Sequence, residues 1–325
     1  MKKVIMTVDV EGHVGKDPVA HLIMGESVDG SRYGIDKLMD IFDRHKITAL
    51  FFVDVAEAWD YGEGKLATVL RHIKERGHDC GVHIHPDHMA DVKRLFLWEY
   101  TKDEQRKIIK KCTDFYIRIL GEKPKAFRAG KYGANHDTLD VLAENGYLCD
   151  FSEFVGQRWC QIEPPVAYSK VTRLKTGLLE FPVTSYRSFT LGAYSRNDKL
   201  DANMAMNEFR YLVRRLVLED CVNPVIMFAH SFSLLNWRKT PDAPKVNRRN
   251  VKKLDMMLSI LRSEPNLTFV SLDELLVQSI VSEDICETMI SITGFSSWLF
   301  FMQRAYSIMK MRIETKVWNM KNVKK

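Results

Sequence analysis

Two short stretches of this chain carry side chains suited to holding a metal ion. Thr7-Val8-Asp9-Val10-Glu11 sets two carboxylates two residues apart, and His83-Ile84-His85-Pro86-Asp87-His88 sets three imidazoles within six residues. Carboxylate oxygen and imidazole nitrogen together suit a borderline divalent cation, zinc being the expected one, with positions left for water and substrate. Such an ion lowers the pKa of bound water and polarises a carbonyl. A carboxylate not bound to the metal can remove the water proton, and a second histidine can protonate a leaving amine. Each residue also has a plainer reading: Asp9 as a helix cap, His230 as a satisfied core histidine, Arg128 as half of a structural ion pair. Their joint position, at the ends of successive strands, favours the chemical one.

The elements that must position them follow from hydrophobic period. Residues 4–8 form a short, β-branched, apolar run read as a buried strand, and 48–53, 79–83, 126–128, 147–150, 178–183, 224–229 and 267–270 are read as further strands. Helical stripes or caps mark 33–45, 66–76, 103–120, 137–145, 203–219 and 247–262. Strands alternating with helices of ten or more residues imply crossover units and a parallel sheet. The expected fold is α/β, a distorted (β/α) barrel of about seven parallel strands with a C-terminal helical appendage. In such barrels reactive groups gather at the C-terminal strand ends. Asp9 and Glu11 follow the first strand, His83 and His85 the third, Arg128 the fourth, Asp150 the fifth and His230 a late one. Residues 236–250, with Pro241 and Pro244, read as a loop near that rim.

The chain has 325 residues, 46% hydrophobic and 28% charged, which suits a globular enzyme rather than a disordered or fibrous chain. Six cysteines are scattered without Cys-x-x-Cys spacing and read as reduced thiols. The apolar N-terminal run ends at Asp9, too early for an export signal, so a cytoplasmic setting is expected. Much of the net charge of +6 lies at the end: from Arg304 onward there are seven Lys or Arg residues and one acid, Glu314. No nucleic-acid motif appears, and nucleic acid is not an expected partner.

These blocks together resemble the polysaccharide deacetylases with the nodulation-protein homology domain, carbohydrate esterase family 4. The resemblance covers roughly residues 3–278 and rests on the order and spacing of Thr7-Val8-Asp9-Val10-Glu11, Thr48-Ala49-Leu50-Phe51-Phe52-Val53, Gly77-His78-Asp79-Cys80-Gly81-Val82-His83-Ile84-His85-Pro86, Phe127-Arg128-Ala129-Gly130-Lys131-Tyr132-Gly133, Tyr147-Leu148-Cys149-Asp150-Phe151-Ser152 and Phe228-Ala229-His230-Ser231-Phe232. It implies Asp9 as catalytic base, with the roles of Asp9 and Glu11 exchangeable. It further implies Glu11, His83 and His85 as metal ligands, Arg128 as the residue positioning the base, Asp150 bordering the site, and His230 as general acid. Two departures stand out. The usual histidine pair is separated by three residues and here by one, which leaves His88 in contention as a ligand, and Ala129-Gly130 replaces a residue followed by proline.

The branch most resembled acts in surface polysaccharide or lipopolysaccharide biosynthesis, where an N-acyl group leaves a glycan or lipid-linked sugar. Alternatives are a non-catalytic glycan binder on the same frame and a hydrolase of a small non-sugar amide. Tyr132, Trp159, Tyr186, Phe189 and Trp237 lie in rim segments and could stack on a sugar. The expected domains are a catalytic barrel over 1–280 and a basic amphipathic helical tail over 281–325. That tail, with Trp298, Leu299, Phe300, Phe301 and Met302 ahead of its basic residues, could lie peripherally on the inner face of the cell membrane or dock on the barrel.

Overall fold

The structure is a computed structural model, described for residues 1–12, 14–27, 29–89, 91–163, 170–191, 194–219, 222–278, 289–292, 298–302, 305, 306 and 309. Its strands are β1 (Lys2–Val10), β2 (Leu50–Asp54), β3 (Asp79–Ile84), β4 (Ala126–Ala129), β5 (Cys149–Asp150), β6 (Thr172–Arg173), β7 (Leu179–Glu180), β8 (Ser185–Leu191), β9 (Tyr194–Lys199), β10 (Val225–His230), β11 (Leu235–Asn236), β12 (Lys245–Val246) and β13 (Leu267–Phe269). The main helices are α1 (Ile35–Arg44), α2 (Ala58–Tyr61), α3 (Glu63–Glu75), α4 (Lys102–Leu120), α5 (His136–Glu144), α6 (Met206–Leu218), α7 (Arg248–Ser263) and α8 (Leu272–Gln278).

One nine-stranded sheet runs β10-β1-β2-β3-β4-β5-β7-β6, with β13 also paired to β1, and every pairing in it is parallel except β6 on β7. β1 is an inner strand, paired with β10, β13 and β2, and Val4 to Val10 is buried, as a parallel strand covered by helices must be. The helices are amphipathic. In α1 the stripe Ile35, Leu38, Met39, Ile41 and Phe42 is buried, and α4 begins at a Thr101–Glu104 capping box and ends at Gly121 in a left-handed cap.

Between β7 and β10 the sheet does not close by a regular ladder. Thr184 Oγ1 accepts from Ile226 N at 2.7 Å, and Leu200 O accepts from Phe228 N at 3.0 Å. The barrel is therefore distorted, as expected.

Several expectations are corrected. The strands read at 147–150 and 178–183 shrink to two residues each, Cys149–Asp150 and Leu179–Glu180. The β8–β9 hairpin was not expected at all. The rim loop of 236–250 contains half of a small hairpin, Leu235–Asn236 against Lys245–Val246. Cys80, Cys112, Cys149 and Cys160 are free thiols. Among the described residues no helix is long and apolar enough to cross a membrane. Most of the tail, including 310–325, lies outside the described residues. Its described part is helical at 298–302, with Phe301 stacked on Phe189 at 4.1 Å and Phe300 buried near Tyr211.

Candidate metal centre and active site

Parallel register brings the chemical residues into line across the strand ends. Asp9 is level with His230 of β10 and Phe52 of β2, while Asp54, His83 and Arg128 form a row across β2, β3 and β4. Glu11 follows β1 immediately and His85 follows β3. Both are buried, as are Asp9, His83 and Arg128.

Glu11 is the hub of the cluster. Its Oε2 lies 2.8 Å from His85 Nε2 and 3.4 Å from His83 Nε2, and its Oε1 lies 3.4 Å from His230 Nε2. One ligand atom from each of Glu11, His83 and His85 lies within 4.8 Å of the others. The Nδ1 of His83 is 2.7 Å from the Arg128 carbonyl, which can only accept, so that nitrogen carries a proton and Nε2 is the atom turned toward Glu11. An outer carbonyl holding an imidazole in one tautomer is the usual support of a metal ligand. Burial pushes the His83 pKa down, but Asp9 and Glu11 outweigh it and lift the ring to about 9. Burial likewise opposes ionisation of Glu11, yet His85 and His83 hold its carboxyl well below the usual range. The cluster is thus built to surround positive charge, and its donor set fits a divalent ion.

Asp9 faces a different partner. Its Oδ1 accepts from Arg128 Nη1 at 2.6 Å, and its Oδ2 stands 4.0 Å from His83 Nε2. Although burial disfavours the charge, Arg128 and the two histidines keep the Asp9 pKa below its ordinary value. Arg128 is fixed on every side: Nη2 donates to Thr7 Oγ1 at 3.1 Å, Nε to the Phe151 carbonyl at 3.3 Å, and its plane lies 4.3 Å from the Phe52 ring centroid. His230 stacks on Phe232 at 4.7 Å with Phe228 edge-on at 4.6 Å, and burial lowers its pKa.

Two of the singled-out residues sit elsewhere. Asp150 bonds Ser152 N at 3.1 Å and Ser152 Oγ at 2.7 Å and shares a buried pair with Glu180; both pKa values are raised, first by burial. Ser152 Oγ in turn accepts from Ala129 N at 2.8 Å, and Phe151 holds Arg128, so Asp150 acts on the site through its neighbours. His88 stands with Asp54 and Glu57, its ring centroid 6.4 Å from that of His85.

Sequence reading missed Lys199. At the end of β9 its Nζ donates to Tyr132 Oη at 2.6 Å and lies 3.2 Å from the Phe228 ring centroid, and burial pushes its pKa down to about 8. Nothing in Tyr-Ser-Arg-Asn-Asp-Lys signals a strand beside the site, because the segment lacks apolar alternation. Lys131 and Tyr132 both adopt left-handed backbone, φ 53° and 61°, an uncommon pair for residues other than glycine. Of the rim aromatics, Tyr186 is fully buried and donates to Glu208 Oε1 at 2.8 Å, so it packs and cannot stack on a sugar. Phe189 stacks on the tail and Trp159 on Phe96, while Trp237 meets Phe232 beside His230.

The family model for polysaccharide deacetylases matches residues 29–149, a span with His83, His85 and Arg128 but without Asp9, Glu11 and His230. No curated protein sequence matches the chain. A provisionally assigned polysaccharide deacetylase of Mycobacterium smegmatis superimposes with a TM-score of 0.55 at 16% identity, covering 85% of this chain and 89% of its own. A family 4 carbohydrate esterase of Streptomyces lividans, in complex with acetate, gives 0.45 at 11% identity over 86% and 97%. At these identities the first likeness concerns the fold alone, and the second is too loose to carry an argument.

The short His83-Ile84-His85 spacing and Gly130 meet in space. A Cβ at Gly130 would stand 2.7 Å from His85 Cγ, 2.8 Å from His85 Cδ2 and 2.7 Å from the Ile84 carbonyl, all closer than real contacts. With the histidines one residue apart, the second imidazole rests on the backbone of the turn after β4, where only glycine leaves room. Gly130→Ala is expected to keep the fold, by near-UV circular dichroism, and to weaken Zn2+ affinity about 10–100-fold, the usual range for loss of a ligand's support. Unchanged affinity in a chelator competition would remove His85 from the ligand set.

Proposed function

We propose that this chain, whose residues 29–149 match the family model for polysaccharide deacetylases, is a metal-dependent hydrolase removing an N-acetyl or other N-acyl group from a sugar. The observation that carries the reading is the separation of duties around Glu11. Asp9 is reserved for Arg128, while Glu11, His83 and His85 converge on one another. A divalent ion, zinc by the chemistry of the donors, would be held by Glu11, His83 and His85 and would supply Lewis acidity to the scissile carbonyl and the attacking water.

The chain's own groups do the proton work. Arg128 keeps Asp9 ionised, so its carboxylate can take a proton as water oxygen bonds to the carbonyl carbon. His230, on the other side of Glu11, delivers a proton to the nitrogen as the C–N bond breaks, and carboxylic acid and amine leave. Asp9→Asn is expected to lower amine release from an N-acetylated sugar about 10²–10⁴-fold with bound metal retained. His83→Ala should lose the ion held with Glu11 and His85 together with activity, and chelator treatment should abolish activity; a fully active His83→Ala enzyme would sink the reading.

A cleft of about 2040 Å³, which adjoins the site through Tyr132 and Lys199 and is lined by none of Glu11, His83, His85 and His230, supports a substrate carrying a phosphate, as a lipid-linked sugar of surface polysaccharide biosynthesis does. It includes Tyr132 and Lys199, and its walls carry Arg158, Arg196, Arg248, Arg249 and Lys253 against Asp198 and Asp201. Clustered cations in a cleft raise the local concentration of an anionic ligand. The double variant Arg248→Glu/Arg249→Glu should lower kcat/KM about tenfold or more for a sugar phosphate and leave a neutral N-acetylated oligosaccharide nearly unchanged. Equal loss on both would exclude recognition of the phosphate.

We further propose that the tail contacts an anionic membrane face on the cytoplasmic side. While Phe300 is buried, Trp298, Leu299, Met302, Tyr306 and Met309 are exposed, an apolar surface ahead of the basic residues. Removal of residues 298–325 is expected to abolish flotation with phosphatidylserine vesicles; undiminished flotation would refute the contact.

A further inference from the structure

Asp54, Glu57 and His88 form a second convergence of ligand atoms, behind the wall of the first. One ligand atom from each lies within 4.8 Å of the other two. Asp54 ends β2, Glu57 closes the helical turn that follows, and His88 ends the turn after His85.

Both acids are completely buried, and each gives only one oxygen to the backbone. Asp54 Oδ1 accepts from Ala56 N at 3.1 Å and His85 N at 3.3 Å, and Glu57 Oε1 accepts from Gly12 N at 2.5 Å. Among the described residues the other oxygens, Asp54 Oδ2 and Glu57 Oε2, are buried with no hydrogen-bond partner. Among the described residues neither acid has a Lys or Arg partner; the one ion-pair contact of Glu57 is His88 Nε2 at 4.0 Å from Oε1. Two adjacent carboxylates taken out of water need a cation or a shared proton.

His88 is oriented for the first of these. Its Nδ1 lies 2.6 Å from Asp60 Oδ2, so the proton sits there and Nε2 turns its lone pair toward Glu57. A carboxylate behind an imidazole is the outer support that metal-ligating histidines have.

We propose that Asp54, Glu57 and His88 bind a second divalent cation, of the Mn2+ to Zn2+ class that two carboxylates and one imidazole suit. It is separate from the Glu11, His83 and His85 ligands but tied to them. Asp54 holds the His85 amide and Glu57 the amide of Gly12, next to Glu11, so a cation here orders the backbone under two ligands of the first site. The second site stands whether or not the first one hydrolyses anything.

The full chain, stripped with chelator and reloaded with excess Zn2+ or Mn2+, is passed through gel filtration and its metal counted by mass spectrometry. Two equivalents are expected for the wild type, and one for each of Glu57→Gln, Asp54→Asn and His83→Ala. His88→Ala, on a surface turn, gives the same loss without disturbing the buried acids, should Glu57→Gln or Asp54→Asn fail to fold. One equivalent in the wild type that survives Glu57→Gln or His88→Ala and vanishes in His83→Ala overturns the second site and leaves Asp54 and Glu57 sharing a proton. Two equivalents in both His88→Ala and Glu57→Gln overturn it as well. One equivalent that survives His83→Ala and vanishes in His88→Ala overturns the first site and keeps the second.

Discussion

The buried pair of Arg128 and Asp9 holds this site together. A guanidinium 1% exposed is costly unless its nitrogens find acceptors, and each nitrogen of Arg128 has one, in Asp9, Thr7 and the Phe151 carbonyl, drawn from β1 and from the residue after β5. Its own carbonyl orients His83 on β3. Four strand ends are thereby registered through one residue, and loss of either charge would leave the other uncompensated in the core. The same pair divides the acids: with Asp9 engaged by Arg128, Glu11 is the carboxylate left to the histidines.

Around that pair the site's two irregularities make one another possible. The His-x-His spacing brings His85 directly off the end of β3, where its ring leans on the backbone of Gly130. A proline or any other side chain there would push the imidazole away. Gly130 after β4 and the short histidine spacing after β3 are therefore sterically linked, and Glu11, His83 and His85 converge without His88.

A layer of acids supports the site from below. Asp150 and Glu180 hold the Ser152 loop, whose hydroxyl receives the Ala129 amide beside Arg128. Asp54 and Glu57 grip the amides of His85 and Gly12. None of these is exposed, and burial raises the pKa of all four, so they act as backbone clamps whose charge must be balanced locally.

The alternation of apolar strands and striped helices was legible because parallel strands under helices must be apolar on both faces, and that alone put Asp9, Glu11, His83, Arg128 and His230 at strand ends. Type and spacing likewise pointed to a carboxylate–imidazole metal site. What the sequence could not decide were the pairings across distant segments: Asp9 with Arg128, His88 beside Asp54 and Glu57, and Lys199 beside Tyr132. The β8–β9 hairpin was hidden because Tyr194–Lys199 is polar and takes its place from its partner strand, and Tyr186 read as a rim aromatic until its burial against Glu208 was seen. Residue types determine which chemistry is available, since donors and acceptors are fixed by side chain. Which donor meets which acceptor depends on strand register and on the room left by a missing Cβ, and only the folded chain has either.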